Sequence, residues 1–269
     1  MKSAAKVDMS HPIRAKKNLG QHFLNDENIA KKIVDSLLAV NNGATVIEIG
    51  PGTGVLTKYL AAELKNNFWA LDVDTDSVPY LKQHYPEIAE HVLLADFLEF
   101  DIKKIIPGKF NVVGNFPYNI SSQILFKVLD HRHDVDCVVG MFQKEVAMRL
   151  AEKPGSKTYG IISVLLQTYY DIEYLFTVNE NVFTPPPKVK SAVIRLTRNK
   201  RHTLSCNEDL FTKVVKTTFN QRRKQIRNSI RPIITIDDSL LTPMFQKRPE
   251  QLSVEEFIEL TDFVEKHLK

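Results

Sequence analysis

The chain has 269 residues, of which 43% are hydrophobic and 25% charged, with a net charge of +4. These values are close to the averages for globular proteins and exclude collagen, coiled-coil and disordered chains. The first 30 residues contain no apolar leader, and no stretch approaches the roughly 18 apolar residues of a membrane span. The two cysteines, Cys137 and Cys206, are too few for a disulfide framework or a zinc site. We therefore expect a cytoplasmic protein that has no membrane partner and binds no metal.

The predicted elements begin with an amphipathic helix over 25–40, which Asn25 or Asp26 can cap. From residue 45 the pattern changes to short apolar runs separated by helix-like stretches. The predicted strands lie at 45–49, 68–71, 92–95, 110–114, 137–142, 171–178 and 191–197. This alternation is typical of helices wound around a parallel sheet, so we predict an α/β fold with a doubly wound, mostly parallel seven-stranded sheet.

The strand pattern ends at Thr197, and both 208–230 and 253–267 are predicted as helices. We therefore expect two domains. The first, 1–200, would bind a cofactor and carry catalysis, with a basic lead-in at 1–24. The second, 201–269, would be small, all-helical and basic.

A glycine-rich turn follows the first strand of the predicted sheet. In the segment EIGPGTGVLT at 48–57, Gly50, Gly52 and Gly54 form this turn, and their missing Cβ atoms let a ligand approach the backbone closely. A dinucleotide fingerprint needs glycine where Val55 stands, and no lysine followed by serine or threonine comes after the turn. The pattern thus argues against a nicotinamide or flavin site and excludes a P-loop, but a turn without any ligand remains open.

Polar residues follow the next predicted strands. Asp72 ends the second strand, Asp96 the third, and Asn115 the fourth. Because open sheets bind ligands beyond the carboxyl ends of their strands, we expect these residues to converge on one groove with Gly50. A carboxylate at Asp72 can accept hydrogen bonds from both ribose hydroxyls, which favours a nucleoside site over simple helix caps.

The tetrapeptide NFPY at 115–118 suits chemistry on an adenine amine, which is a poor nucleophile because its lone pair is delocalised into the ring. The Asn115 side-chain oxygen and the Pro117 carbonyl can accept the two amine hydrogens, while Tyr118 stacks on the base. The lone pair would then face a sulfonium methyl group, and catalysis would rest on orientation and electrostatics without a general base. The structural alternative is an ordinary proline turn capped by asparagine.

Four motifs together resemble the ribosomal RNA adenine N6,N6-dimethyltransferase family: KNLGQHFL at 17–24, EIGPGTGVLT, NFPY, and FTPPPKVKSAV at 183–193. The resemblance covers nearly the whole chain, roughly from Lys16 to the C-terminal helices. It implies a class I, Rossmann-like methyltransferase that uses S-adenosyl-L-methionine. The implied reaction dimethylates adenosines of small-subunit ribosomal RNA, two adjacent ones near its 3′ end, during ribosome biogenesis.

The resemblance also implies residue roles. The implied cofactor contacts are His22, Leu24, Gly50, Gly52, Asp72, Asp96 and Asn115, and the implied catalytic residues are Asn115, Pro117, Tyr118 and Phe183. Tyr118 would stack on the target adenine, and Phe183 would cover its other face. The family often has asparagine at position 22 and glutamate at position 72. Because aspartate is one methylene shorter than glutamate, Asp74 becomes a rival for the ribose contact.

Basic residues are concentrated toward the C-terminus, where residues 195–231 contain eleven basic and two acidic side chains. A solvated surface usually mixes both signs, so this pattern favours a phosphate-binding surface over a merely solvated one. We expect Arg222, Arg223, Lys224 and Arg227 to bind ribosomal RNA or a precursor of the small subunit, and we expect a monomer.

Other functions share parts of this pattern. Large-subunit ribosomal RNA adenine N6-methyltransferases also carry N-x-P-Y, and a non-catalytic RNA-binding ribosome-assembly or transcription accessory factor could use the same fold. DNA adenine methyltransferases typically begin the tetrapeptide with an acidic residue, whereas this chain has Asn115 there, so this class is less favoured. The basic C-terminal region and FTPPPKVKSAV favour the small-subunit enzyme, and the intact tetrapeptide argues against lost catalysis.

Overall fold

The computed structural model describes residues 13–268, so the predicted basic lead-in is described only from Ile13 onward. The chain divides into two compact units. Among the described residues, the first unit contains those up to Ala147 together with Glu173–Thr197, and the second contains Met148–Ile172 together with those from Arg198 onward. The second unit thus includes an internal segment, 148–172, in addition to the C-terminal region that the sequence predicts.

The strands form one large sheet and one small pair. Their bounds are β1 Phe23–Leu24, β2 Thr45–Ile49, β3 Phe68–Asp72, β4 Val92–Leu94, β5 Phe110–Asn115, β6 Val135–Gln143, β7 Tyr170–Val178, β8 Phe183–Thr184 and β9 Ser191–Arg198. The large sheet has the order β4-β3-β2-β5-β6-β9-β7, while β1 and β8 pair antiparallel. Strands β2 to β6 pair in parallel and β9 runs antiparallel to β6. The predicted seven-stranded, mostly parallel sheet is therefore confirmed.

The strand order reverses at β2, which has β3 on one side and β5 on the other. In open parallel sheets such a reversal opens a crevice beyond the carboxyl ends of the strands. The turn that follows β2, together with Asp72 and Asn115 at the last positions of β3 and β5, lies at this edge. Asp96 follows β4 by two residues, because β4 ends at Leu94 rather than at the predicted position.

The helices of the first unit pack against the sheet through apolar faces. Their bounds are α1 Glu27–Leu38, α2 Thr57–Leu64, α3 Ser77–His84 and α4 Ser121–Asp130, and α5 Lys144–Ala151 extends across the unit boundary. Of the two predicted caps for α1, Asp26 is used: its carboxylate accepts hydrogen bonds from the N–H groups of Asn28 and Ile29, at 2.9 and 3.0 Å. Helix α1 buries Ala30, Ile33, Val34 and Leu37.

The helices of the second unit are α6 Ile161–Tyr169, α7 Glu208–Asn220, α8 Ile226–Ser229 and α9 Val254–His267. The prediction of one helix over 208–230 is wrong, because a turn at 221–225 separates α7 from α8. These five residues, QRRKQ, offer no apolar side chain to pack. In addition, the Ile226 N–H donates to the Lys247 carbonyl at 2.8 Å instead of to the preceding helical turn.

No helix in the described part of the chain combines the length and the apolar character needed to cross a bilayer.

Close packing between β5 and β2 gives a stability prediction at Gly114. A Cβ at this position would lie 2.5 Å from the Ile49 main-chain oxygen and 2.8 Å from the Phe116 ring. Because the oxygen belongs to a paired strand and cannot yield, Gly114→Ala should lower the free energy of unfolding by about 1–3 kcal/mol. Urea unfolding measures the change. Gly108→Ala is the matched control, since nothing lies within 4 Å of its added Cβ. Equal urea midpoints for the two variants would contradict the close contact between Gly114 and Ile49.

Candidate active site

A cleft opens in the first unit beyond the carboxyl ends of β2, β3 and β5, and its empty space, including the solvent at its mouth, is about 680 Å³. We refer to this cleft as the cavity. The predicted site residues that line it are His22, Gly50, Gly52, Asp72, Asp96, Asn115, Pro117 and Tyr118. They come from distant parts of the sequence, and the sheet topology brings them together. Among the described residues that line the cavity there is no lysine or arginine, and the acidic ones are Asp72 and Asp96.

The glycine turn and Asp72 form one wall of this cavity. Gly50 and Gly52 have φ angles of 65° and 56°, in the left-handed region that favours glycine. The Gly52 N–H donates to one Asp72 carboxylate oxygen at 3.1 Å, and the Asp74 N–H donates to the other at 2.9 Å. Burial raises the pKa of Asp72, and these two hydrogen bonds counteract only part of that effect. Each carboxylate oxygen keeps a further lone pair, so Asp72 can still accept hydrogen bonds from a ligand.

Asp74 has different partners from Asp72. Its two oxygens accept hydrogen bonds from Lys16 Nζ at 2.5 Å and from Gln21 Nε2 at 2.7 Å. Burial acts to raise the pKa of Asp74, but Lys16 and Gln21 outweigh it and hold the pKa below its usual value. Asp74 is fully buried and is not among the cavity-lining residues. It therefore anchors the N-terminal segment 16–24, whose residues Leu19 to Phe23 line the cavity.

The orientation of the Asn115 amide follows from one hydrogen bond. Its Nδ2 donates to the His22 main-chain carbonyl at 2.8 Å. A main-chain carbonyl can only accept, so the amide nitrogen must face His22, and the Oδ1 oxygen is left as the acceptor for a ligand. The N-terminal segment thus fixes the acceptor that the proposed chemistry requires.

The Tyr118 ring is held at its edge and on one face. Its hydroxyl lies 2.5 Å from the Ser191 hydroxyl. The His22 ring stacks on Tyr118 with centroids 5.5 Å apart and an interplanar angle of 29°, and His22 Nδ1 lies 2.7 Å from the Pro185 carbonyl oxygen. Burial raises the pKa of Tyr118 more than the Ser191 hydrogen bond lowers it, so the phenol stays protonated at neutral pH.

Leu24 and Phe183 lie beside the cavity rather than in its wall. They are register partners in the β1–β8 pair, and both belong to the core of the first unit. Leu24 lines a smaller neighbouring pocket with Glu48, Gly50 and Asn115, whereas Phe183 lines neither space and is only 3% exposed. The role of Phe183 in covering a target base therefore stays a prediction.

Arg222 differs from its neighbours in the basic segment of the second unit. Its guanidinium donates to the Ser156 carbonyl at 3.2 Å and lies 5.9 Å from the centroid of the Phe219 ring. In contrast, the side chains of Arg223, Lys224 and Arg227 are exposed. Arg222 thus has partners distant in sequence, whereas the other three predicted RNA-binding residues are exposed, with Arg227 Nε donating to the nearby Gln225 Oε1 at 2.9 Å.

Sequence reasoning missed four residues that shape the site. Lys16 and Gln21 lie in or beside the quoted motif KNLGQHFL, and Ser191 lies in FTPPPKVKSAV, but nothing local reveals that their partners are Asp74 and Tyr118.

The fourth is Glu48 on β2, which is buried and accepts a hydrogen bond from Thr57 Oγ1 at 2.7 Å. Burial raises the pKa of Glu48 to about 8. A charged residue inside an otherwise apolar strand is the one signal that could have marked it.

The described residues contain no group of three or more histidine, cysteine, aspartate or glutamate side chains arranged to hold a metal ion.

Comparison with known proteins assigns the chain to a family. The family model described as "Ribosomal RNA adenine dimethylase" matches residues 13–264. The chain belongs to this family. It is 55% identical over 258 residues to a protein of Parabacteroides distasonis named "Ribosomal RNA small subunit methyltransferase A", covering 96% of both chains. A protein of the same name from Cytophaga hutchinsonii is 57% identical over 255 residues, which cover 94% of this chain and 98% of the relative.

Solved structures of related proteins show the same fold. A dimethyladenosine transferase from Plasmodium falciparum has a TM-score of 0.77 at 24% identity, and the match covers 91% of this chain and 98% of the other. The 23S rRNA methyltransferase ErmE has a TM-score of 0.64 at 24% identity, covering 89% of this chain and 99% of the other. The predicted class I methyltransferase fold is thereby confirmed.

The raised pKa of Glu48 predicts a pH-dependent stability difference. Between its unfolded value near 4.5 and its folded value of about 8, the folded protein holds a proton that the unfolded chain has lost. The wild-type free energy of unfolding should therefore fall, relative to that of Glu48→Gln, by roughly 2–4 kcal/mol as the pH rises from 5 to 8. Urea titrations at several pH values test this.

Glu63→Gln, at an exposed position on α2, serves as the control and should follow the wild-type pH curve. If the Glu48→Gln curve also ran parallel to the wild-type curve, Glu48 would not be a buried acid with a raised pKa.

Proposed function

We propose that this protein is an S-adenosyl-L-methionine-dependent adenine N6,N6-dimethyltransferase of small-subunit ribosomal RNA. The observation that carries the proposal is the placement of the Asn115 amide oxygen and Pro117 beside a cavity suited to a nucleoside. The names of relatives more than 50% identical to this chain support the small ribosomal subunit as substrate. A likeness in fold to ErmE does not favour the large subunit, because at 24% identity it concerns the fold alone.

The cavity residues fit S-adenosyl-L-methionine better than a dinucleotide. In the part of the lining that the structure describes, a diphosphate would meet no lysine or arginine, whereas the positive sulfonium group suits a cavity whose charged members include Asp72 and Asp96. Asp72 is the proposed ribose ligand, because the Asp74 carboxylate is occupied by Lys16 and Gln21. In this proposal Gly50 and Gly52 face the methionine end of the cofactor, and Asp96 accepts a hydrogen bond from its adenine amine.

The reaction then depends on how the chain holds the target amine. When bound, the cofactor supplies an electrophilic methyl group on sulfur. Asn115 Oδ1 and the Pro117 carbonyl accept the amine hydrogens and keep the nitrogen lone pair directed at that methyl group. Tyr118 stacks on the target base and restrains its plane. The methylated nitrogen is cationic and releases its proton readily, so no side chain has to act as a base. The second transfer needs only one of the two acceptors, because the monomethyl amine keeps one N–H.

The second unit is the proposed RNA-binding surface. Arg223, Lys224 and Arg227 are exposed and can neutralise phosphates. A structured ribosomal RNA would be held there while a single-stranded adenine enters the cavity, since enzymes that modify bases need the base outside a duplex. A monomer acting on ribosomal particles in the cytoplasm is part of the same proposal.

Methyl transfer to small ribosomal subunits tests this function directly. The protein is incubated with methyl-labelled S-adenosyl-L-methionine and subunits from cells that lack the modification, and the RNA is digested to nucleosides. We expect label in N6,N6-dimethyladenosine, and we expect Asn115→Ala to reduce it by at least about 100-fold because the amine loses an acceptor.

Cofactor binding by Asn115→Ala, measured by calorimetry, is the control that separates lost chemistry from lost cofactor. Absence of label with an unmodified substrate and a cofactor-loaded wild-type protein would contradict the proposal. If label appeared only when large subunits were supplied in place of small ones, large-subunit RNA would be the substrate.

The contacts of Arg222 predict that it stabilises the second unit, whereas its exposed neighbours Arg223 and Lys224 bind RNA. Replacing Arg223 and Lys224 with alanine should leave the unfolding midpoint unchanged and reduce the salt dependence of RNA affinity by about one unit for each phosphate that is no longer neutralised. Arg222→Ala should instead lower the unfolding midpoint, because the Ser156 carbonyl and the Phe219 ring lose their partner. Filter binding at several salt concentrations and thermal unfolding measure both effects.

Lys82→Ala, on α3 of the first unit, removes an exposed cation elsewhere and should change neither quantity. A salt slope that stays the same after removal of the Arg223 and Lys224 side chains would exclude this segment from the RNA-binding surface.

A further inference from the structure

The Tyr118 ring has contacts on two sides that bear on how a base can stack against it. Its hydroxyl meets the Ser191 hydroxyl at 2.5 Å, and one face of the ring meets the His22 imidazole. Because a flat ring has only two faces, a base that stacks on Tyr118 must use the face opposite His22. Any rotation of the ring would therefore change the angle at which the base is presented.

The sheet holds Ser191 at a defined position. It is the first residue of β9, where it lies opposite Gln143 of β6, and it is fully buried. The preceding Lys190 carbonyl accepts a hydrogen bond from the Lys144 N–H at 2.9 Å. The backbone on both sides of Ser191 is thus fixed by β6 and the residue that follows it. Its hydroxyl offers Tyr118 a partner at a defined position in the sheet.

We propose that Ser191 is a positioning residue for methyl transfer, which fixes the angle of the Tyr118 ring through the bond between the two hydroxyls. This inference rests on the proposed function, in which Tyr118 stacks on the target adenine. With the phenol oxygen tied to the sheet and one face against His22, the ring cannot tilt, and the opposite face stays in register with Asn115 and Pro117. Ser191 does not line the cavity, so it acts through Tyr118 and not on the base itself.

The same geometry explains why a tyrosine is useful at this position. A phenylalanine would offer the same stacking surface, but it could not be tied at its far end. The hydroxyl stays protonated because burial raises its pKa, so it can donate to Ser191 or accept from it without carrying charge. The hydroxyl is thus assigned to ring orientation and not to acid–base chemistry.

A double-mutant cycle in the full-length protein tests the proposal. Ser191→Ala, Tyr118→Phe and the double variant are assayed for dimethyladenosine formation on unmodified small subunits. We expect each single variant to lower kcat about five- to tenfold, with an unchanged dissociation constant for S-adenosyl-L-methionine. The double variant should be no slower than the singles, because both substitutions remove the same bond.

Ser77→Ala is the matched control, since the Ser77 hydroxyl is also buried but has no hydrogen-bond partner among the described residues. It should keep the wild-type kcat.

A second readout places 2-aminopurine at the target position of the RNA, where stacking on Tyr118 quenches its fluorescence. Ser191→Ala should weaken the quenching, while Ser77→Ala should not.

Three results would overturn the proposal: a wild-type kcat for Ser191→Ala, rate reductions that multiply in the double variant, or an effect that is confined to cofactor affinity. If Ser191→Ala fails to fold, Tyr118→Phe decides the question, since a wild-type kcat for that variant would exclude any role for the hydroxyl bond. A wild-type protein that forms no dimethyladenosine would refute the proposed function instead, so the two failures are distinguishable.

Discussion

The hydrogen bond from the Asn115 amide to the His22 carbonyl, at 2.8 Å, is the contact on which the rest of the site depends. It joins the end of a central strand to a segment near the N-terminus, and it decides which atom of the amide faces a ligand. The segment itself is held by Lys16 and Gln21 on the buried Asp74 and by the β1–β8 pair. In the proposed mechanism, the acceptor for the target amine is therefore set by contacts made far from Asn115 in sequence. Residues 16–24 would then belong to the catalytic site as well as to the wall of the cavity.

The proposed mechanism relies on position and electrostatics rather than on proton transfer by a side chain. Burial raises the pKa values of Tyr118 and Glu48, so both tend to remain neutral in the interior. Asp72 and Asp96 are the acidic residues of the cavity lining, and no lysine or arginine of residues 13–268 lines it beside them. This distribution favours a cationic sulfonium before transfer and loses that attraction once the sulfur is neutral. If S-adenosyl-L-methionine is the cofactor, as proposed, the same electrostatics would favour its binding and the release of the neutral product.

Much of the fold and part of the site follow from local patterns in the sequence. Apolar runs located all seven strands of the large sheet, and the rule that ligands bind beyond strand ends brought Gly50, Asp72 and Asn115 together correctly. Long-range contacts were out of reach: no periodicity shows that Lys16 binds Asp74, that Ser191 meets Tyr118, or that residues 148–172 join the second unit. The break between α7 and α8 was missed because Phe219 and Ile226 continue the apolar spacing, although the Ile226 N–H takes its partner from Lys247. Local spacing predicts which residues are buried, but not which residue each one meets.

A crystal structure of the protein with S-adenosylhomocysteine and an RNA fragment carrying the target adenine would test the proposed role of the Asn115 amide. We expect Asn115 Nδ2 still to donate to the His22 carbonyl, while Asn115 Oδ1 and the Pro117 carbonyl both lie within about 3.2 Å of the adenine N6. The base should stack on the Tyr118 face opposite His22. An Asn115 amide turned with Nδ2 toward the adenine, or a target base bound away from the tetrapeptide, would exclude Asn115 Oδ1 as the acceptor.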